Sequence, residues 1–325
     1  MSRAARLTAT LGTLLALGGC IAALLIWWVG REDDPFSRRN DCRAVVDGRT
    51  VALSPEQARH AATIAAVAME RELPARAVTI ALATAYQESD IYNIDYGDRD
   101  SLGLFQQRPS QGWGTPEQVQ DPVYAAGAFY DALVRIPNYR ELEITVAAQE
   151  VQRSAFPDAY ADHEDDARVL ASALTGNSEA AFSCAFRPAS YSAQAEGEDG
   201  LTDRARAVRD ELAATFGGLD IGGYQAGGID SGHVEGSAHY DGRALDVMFE
   251  PYDNADVNRR GWAVAQWAVA NAQELGIATV IYDDRIWSAR RSDEGWRAYT
   301  HPSGDTTDIT LRHLDHVHID VAPGE

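Results

Sequence analysis

From Ser54 onward, small apolar residues recur at helical spacing. Ser54 can cap a helix, Pro55 suits its first position, and Gln57 stands where a capping box needs it. The Ala-rich run extends to about Glu72, and Pro74 restarts a second helix through "LPARAVTIALATAYQESD". Further helical spacing is found over Pro122–Leu133, Glu141–Ser154 and Glu164–Leu174. With little alternation visible, residues 52–186 are predicted as a mainly α domain, preceded by a stalk over 31–51. Residues 187–200, "RPASYSAQAEGEDG", are small and polar and predict a flexible linker. Beyond it the pattern changes. A helix from about Thr202 to Phe216 precedes Gly-rich turns and three β-branched runs, "ALDVMF", "ATVIYD" and "HVHIDV". A helix near Asn258–Leu275, ending at Gly276, separates the first two runs. Residues 201–325 therefore predict an α+β domain with a small antiparallel sheet.

The N-terminus follows another pattern. Leu7 to Val29 carries no charge, and its 23 residues would extend about 34 Å as a helix. Arg3 and Arg6 precede it, and Glu32, Asp33 and Asp34 follow. This predicts a transmembrane anchor within residues 1–30. The N-terminus would be cytoplasmic, and the rest would be extracytoplasmic on a single-pass membrane protein. A cleaved signal peptide and a lipoprotein box at "LGGC", Leu17 to Cys20, are the alternatives. Cys20 falls inside the span. Cys42 and Cys184 remain as an even pair, expected as a disulfide closing the helical domain.

Composition excludes one class of partner. The formal charge is -21, with no lysine in the chain, so a nucleic-acid partner is not expected.

Histidines are few, and several of them cluster near carboxylates. "SAHYDGRALD" places His239 on a loop that Gly242 lets bend tightly, and Asp246 on or just before a strand. "LDHVHIDV" adds Asp315, His316 and His318, and residues two apart on a strand share a face. His239, Asp246 and one of these histidines make a His2Asp set, the three-ligand layout of a catalytic zinc with a fourth position open. His233, His301 and His313 are read as supporting residues.

The stretch also matches S-x-H-x-x-G-x-A-x-D at all five fixed positions. With "HVH" downstream, it resembles the zinc D-Ala-D-Ala peptidase superfamily, which includes L-alanyl-D-glutamate endopeptidases. The resemblance implies His239, Asp246 and His318 as zinc ligands and Ser237 as a substrate contact. For the general base it leaves Asp315, where relatives carry Glu, and His316. The shorter reach of Asp favours His316.

Glu88 ends the second helix in "YQESD" and continues the stripe Val78, Ala81, Ala85 rather than the polar face. A carboxyl group there should be partly desolvated and stay protonated towards neutral pH, as a glycosidase acid must. "GLFQ", Gly103 to Gln106, follows one loop later. Glu-Ser followed by Gly-Leu-x-Gln in a helical domain resembles soluble lytic transglycosylases and goose-type lysozymes over roughly residues 52–185. The resemblance implies Glu88 as the acid/base, with Ser89 and Gln106 lining a glycan cleft. The family's Ala-Tyr-Asn segment has no copy in "AAQEVQRSAF", and Tyr160 of "DAYAD" is the candidate substitute. Asp95, Asp98 and Asp100 share one loop and are expected to cap turns, with a cation site as the alternative.

Both resemblances point to peptidoglycan, a polymer with a glycan strand and peptides containing D-amino acids. The expectation is a membrane-anchored bifunctional hydrolase that cuts both. A wall-binding or scaffold protein with one or both clefts inactive is the alternative. A metal-transport accessory protein would need more Cys, Met or His ligands.

Overall fold

The computed structural model describes residues 40–154, 158–187 and 189–324. Two strands open it: β1 (Asp41–Val46) and β2 (Arg49–Leu53), joined at Asp47-Gly48. Both turn residues have positive φ, 51° and 78°. This conformation matches the twist of a two-residue hairpin, and Asp-Gly adopts it readily. Thus much of the expected stalk is a hairpin. It joins β3 (Phe182–Ala185) in a three-stranded antiparallel sheet of order β2-β1-β3. Cys42 faces Cys184 across β1 and β3, and the two form a disulfide. It closes a sequence separation of 142 residues. In the chain-entropy account such a bridge stabilises by about 5 kcal/mol.

Helices α1 (Pro55–Glu70) and α2 (Ala75–Ser89) follow, with the expected Ser54–Gln57 capping box in place. Then come α3 (Pro116–Val119), α4 (Pro122–Leu133), α5 (Ile144–Gln152) and α6 (Glu164–Leu174). After β3 the chain forms α7 (Asp203–Phe216), β4 (Ile221–Gly222), β5 (Ala244–Met248) and α8 (Ala255–Leu275). Strands β6 (Ile277–Tyr282), β7 (Arg285–Ser288), β8 (Arg297–Ala298) and β9 (His316–Val321) complete it. The second sheet has six strands, all pairings antiparallel, in the order β4-β5-β9-β6-β7-β8.

The described residues from 40 to 324 form one compact unit. The alanines of α1, including Ala58, Ala61, Ala62 and Ala65, are buried, and small side chains let α8 pack closely. A single apolar cluster runs from Cys42 to Val321. The two expected domains therefore share one core, locked by buried polar contacts. Gln266 of α8 donates Nε2 to Ala173 O at 2.7 Å and accepts from the Phe182 N–H at 2.7 Å. Trp287 and Trp296 donate to the carbonyls of Cys184 and Phe182. The segment expected as a free linker is pinned too. The Arg204 guanidinium lies 4.6 Å from the Tyr191 ring centre, and Tyr191 Oη donates to Gln273 O.

Two further expectations are corrected. The architecture is mixed α/β with two antiparallel sheets, not a mainly α domain followed by a small sheet. The hairpin at Asp47-Gly48 and the short strands β3, β4, β7 and β8 supply the difference. Among the described residues no helix is long and apolar enough to cross a membrane. Even α8, the 21-residue helix, carries Asp256, Arg259, Arg260 and Glu274. The anchor expected over residues 7–29 lies outside the described residues. The single-pass membrane localisation built on it has no support among the described residues.

Candidate metal centre and carboxyl site

The metal-ligand set is built by strand register. Asp246 on β5 pairs directly with His318 on β9, and Met248 pairs with His316. Opposed residues share a face, and His316 lies two positions from His318, so both rings stand on the side of Asp246. His239 arrives on a short 3-10 turn, Ala238–Asp241. Ser237 Oγ accepts from the His239 N–H, and Gly242 closes the turn at φ 60°. A Cβ on Gly242 would meet Gly200 O at 2.4 Å, so the glycine in the motif is needed for close approach.

The donor atoms converge. His239 Nε2 is 3.2 Å from His318 Nδ1 and 3.4 Å from Asp246 Oδ1, and His318 Nδ1 is 3.1 Å from that same oxygen. Donors on a tetrahedral zinc, at about 2.0–2.1 Å from the metal, are about 3.3–3.4 Å apart. The side chains thus fit the ion without rearrangement. Among the described residues, these three are the set whose ligand atoms gather for a metal.

The two histidines of the set are each held from behind. His239 Nδ1 faces Gly223 O at 2.6 Å, and His318 Nε2 lies 3.6 Å from the Asp320 carboxylate. Such partners fix which ring nitrogen faces a metal. Asp320 was missed in the sequence, although the two-residue spacing that pairs His316 with His318 continues to it. Burial works against ionisation of Asp246, but hydrogen bonds from His239 and His318 outweigh it and hold the carboxyl well below its usual range. Burial likewise opposes a charge on His318, yet Asp246 and Asp320 push it up to about 9. A metal must therefore displace a tightly held proton.

The two candidate bases are partners. Asp315 Oδ1 lies 2.7 Å from His316 Nδ1, and its other oxygen accepts from Thr310 Oγ1 at 2.7 Å. His316 Nε2 then faces the centre, 3.7 Å from Asp246 Oδ1. Two of the three supporting histidines also border the site. The His233 ring stacks on His239 with centroids 4.1 Å apart, and His313 packs 4.7 Å from His316. Burial, reinforced by His318 and His316, drives His313 down to about 2. His301 sits apart, half-buried and bonded to Ser303.

The second site lies at the end of α2. Val78, Ala81 and Ala85 are fully buried, and Glu88 is half-buried on the same stripe. Its Oε1 accepts from Tyr160 Oη at 2.8 Å. Desolvation raises the Glu88 pKa, and hydrogen bonds from Tyr160 and Gln152 oppose the rise without cancelling it. Gln152 also donates to Phe105 O at 2.7 Å, linking Glu88 to the "GLFQ" loop. Ser89 and Gln106 brace that loop. Ser89 Oγ donates to Leu104 O at 2.8 Å, and Gln106 Nε2 donates to Tyr96 O at 3.2 Å. Tyr160 thus reaches the site as the candidate substitute, whereas Gln152 went unnoticed in the sequence. In the acidic loop, Asp100 accepts from Arg108 and from the Ser110 N–H, which is a turn-capping arrangement.

A family model described as "VldE, C-terminal domain" matches residues 197–310. The match covers about a third of the chain. It includes His239 and Asp246 and ends before His316 and His318. No curated protein matches the chain. The matched description names neither of the families that the motifs resemble.

Proposed function

We propose that the protein is a peptidoglycan hydrolase with a zinc peptidase centre at His239, Asp246 and His318 and a glycan-cleaving carboxyl at Glu88. The observation that carries the first half is the 3.1–3.4 Å spacing of three donor atoms on the buried His239 and His318 and the half-buried Asp246. The five-position motif and "HVH" support D-amino-acid peptides as the substrate class.

When bound, zinc supplies Lewis acidity that polarises a carbonyl and acidifies water at its open position. The chain supplies the rest. Asp315 accepts from His316 Nδ1–H and leaves the Nε2 lone pair facing the centre. Thr310 keeps the Asp315 carboxylate from turning away. His316 Nε2 can then take a proton from the attacking water and hand it to the departing amine. Ser237, the cap of the His239 turn, stands beside this site and is the proposed substrate contact.

In the helical layer, burial keeps Glu88 protonated to higher pH than an exposed glutamate, so its proton is available to the glycosidic oxygen. Tyr160 and Gln152 orient the carboxyl. The substrate's own N-acetyl group would stabilise the positive charge that develops on the sugar. Ser89 and Gln106 keep the "GLFQ" loop against the helix as the wall of that cleft.

Elemental analysis of the purified chain tests the reading. About one zinc per chain is expected for a single three-ligand site, with loss in His239→Ala and in His318→Ala. Full metal content in both variants would remove the centre.

A further inference from the structure

Gly223 follows β4 directly and lies against the metal-ligand set. Its carbonyl faces His239 Nδ1 at 2.6 Å. Its φ is +81°, and a Cβ built on it would stand 2.6 Å from His239 Cε1 and 3.0 Å from Asp246 Oδ2. Neither neighbour can retreat easily. His239 is 3% exposed and fixed by its capped turn, and Asp246 is held in register on β5. Nearby glycines differ. Gly222 has nothing within 4 Å of its Cβ position, and Gly227, at φ +86°, also has open space.

We propose that Gly223 is a positioning residue of the metal centre: its carbonyl selects the His239 tautomer, and its bare Cα leaves the space that two ligands occupy. The role rests on the zinc reading above. An imidazole donating Nδ1–H to a carbonyl keeps its Nε2 lone pair free, and Nε2 is the atom turned towards Asp246 and His318. A methyl group on Gly223 would collide with His239 and crowd Asp246 together, spoiling a donor spacing that already fits a tetrahedral ion.

The test uses the full chain as wild type, Gly223→Ala, Gly227→Ala and Gly222→Ala. Zinc affinity is measured by competition with a chromophoric chelator, and the cobalt(II)-substituted proteins are compared by visible absorption. Gly223→Ala should bind zinc about 10–100-fold more weakly, the usual cost of losing a ligand's supporting partner, with an altered cobalt spectrum. Gly227→Ala carries the same positive-φ strain without the collision, and Gly222→Ala carries neither, so both should keep wild-type values. Unchanged affinity and spectrum in Gly223→Ala would overturn the role. Equal losses in Gly223→Ala and Gly227→Ala would overturn it too, because loop strain would then be the cause. Should Gly223→Ala not fold, nitrogen NMR of histidine-labelled, zinc-loaded wild type decides. A His239 ring protonated at Nδ1 supports the role, and a ring metallated at Nδ1 contradicts it. Wild type that holds no zinc fails one step earlier, taking the metal centre and this role together.

Discussion

The metal-ligand set on the six-stranded sheet and the carboxyl site of the helical layer are assembled in different ways. Asp246, His316 and His318 lie on two hydrogen-bonded strands whose register fixes their spacing, and His239 comes from a capped turn only a few residues before Asp246. Glu88 depends instead on residues far along the chain, Gln152 and Tyr160, and on a loop braced by side-chain to backbone bonds. Electrostatics divides them further. The sheet site draws Asp246 down and His318 up, favouring charge, whereas burial at Glu88 favours the neutral acid. The ionised Asp246 and the converging ring nitrogens suit a cation that takes the place of the His318 proton, and a lone desolvated carboxyl suits proton donation. One continuous core carries both.

The largest effect expected from a residue that leaves the zinc in place is at the base pair. His316→Ala should lower peptide cleavage by about 10²–10⁴-fold, the usual cost of removing a general base. Asp315→Asn should cost less, about 10–100-fold, because it disturbs only the orientation of the ring. Kinetics on a synthetic stem peptide, alongside zinc analysis, would rank the two. The reverse order would give the proton to Asp315, and zinc loss in His316→Ala would make that histidine a ligand.

A second variant asks whether the two regions are one body. Gln266→Ala strands the Phe182 N–H in the core, while the Ala173 carbonyl keeps its bond from the Gly176 N–H, so the change should cost about 1–3 kcal/mol. Thermal unfolding followed by tryptophan fluorescence and circular dichroism should still show one transition, moved to lower temperature. Two separate transitions would mean that the halves are coupled only loosely.

The smallest effect concerns Tyr160. Its hydroxyl donates to the Glu88 carboxylate and so favours the ionised form. Tyr160→Phe should therefore raise the Glu88 pKa further and move the alkaline limb of glycan cleavage to higher pH. The same sign governs stability. A carboxyl raised on folding stabilises the fold at pH below its unfolded value, and that contribution is lost as pH rises through the folded one. A limb that moves to lower pH in Tyr160→Phe would show that the hydroxyl does not act on Glu88 in this way.

The contrast also explains what was legible in the sequence. His239, Asp246 and His318 fall in two short motifs, because a turn and a strand pair convert local spacing into geometry. The helices declared themselves by their caps. Ser54, Thr202 and Gly276 stand where the spacing put them. The opening hairpin was missed although Asp47-Gly48 marks it, because the short alternating runs on either side were read as a stalk. Gln152 and Gly223 could not be found from spacing. One acts through a side chain brought in by tertiary packing, and the other through a backbone carbonyl and an absent methyl group.

The central claim is that two chemistries act on one polymer. Mass spectrometry of purified peptidoglycan after digestion by wild type, by wild type with chelator and by Glu88→Gln tests it most directly. The account predicts new peptide amines and new glycan ends from wild type. Chelator should remove only the peptide products, and Glu88→Gln should remove only the glycan products. Peptide release that survives chelation, or glycan fragments identical in wild type and Glu88→Gln, would contradict it.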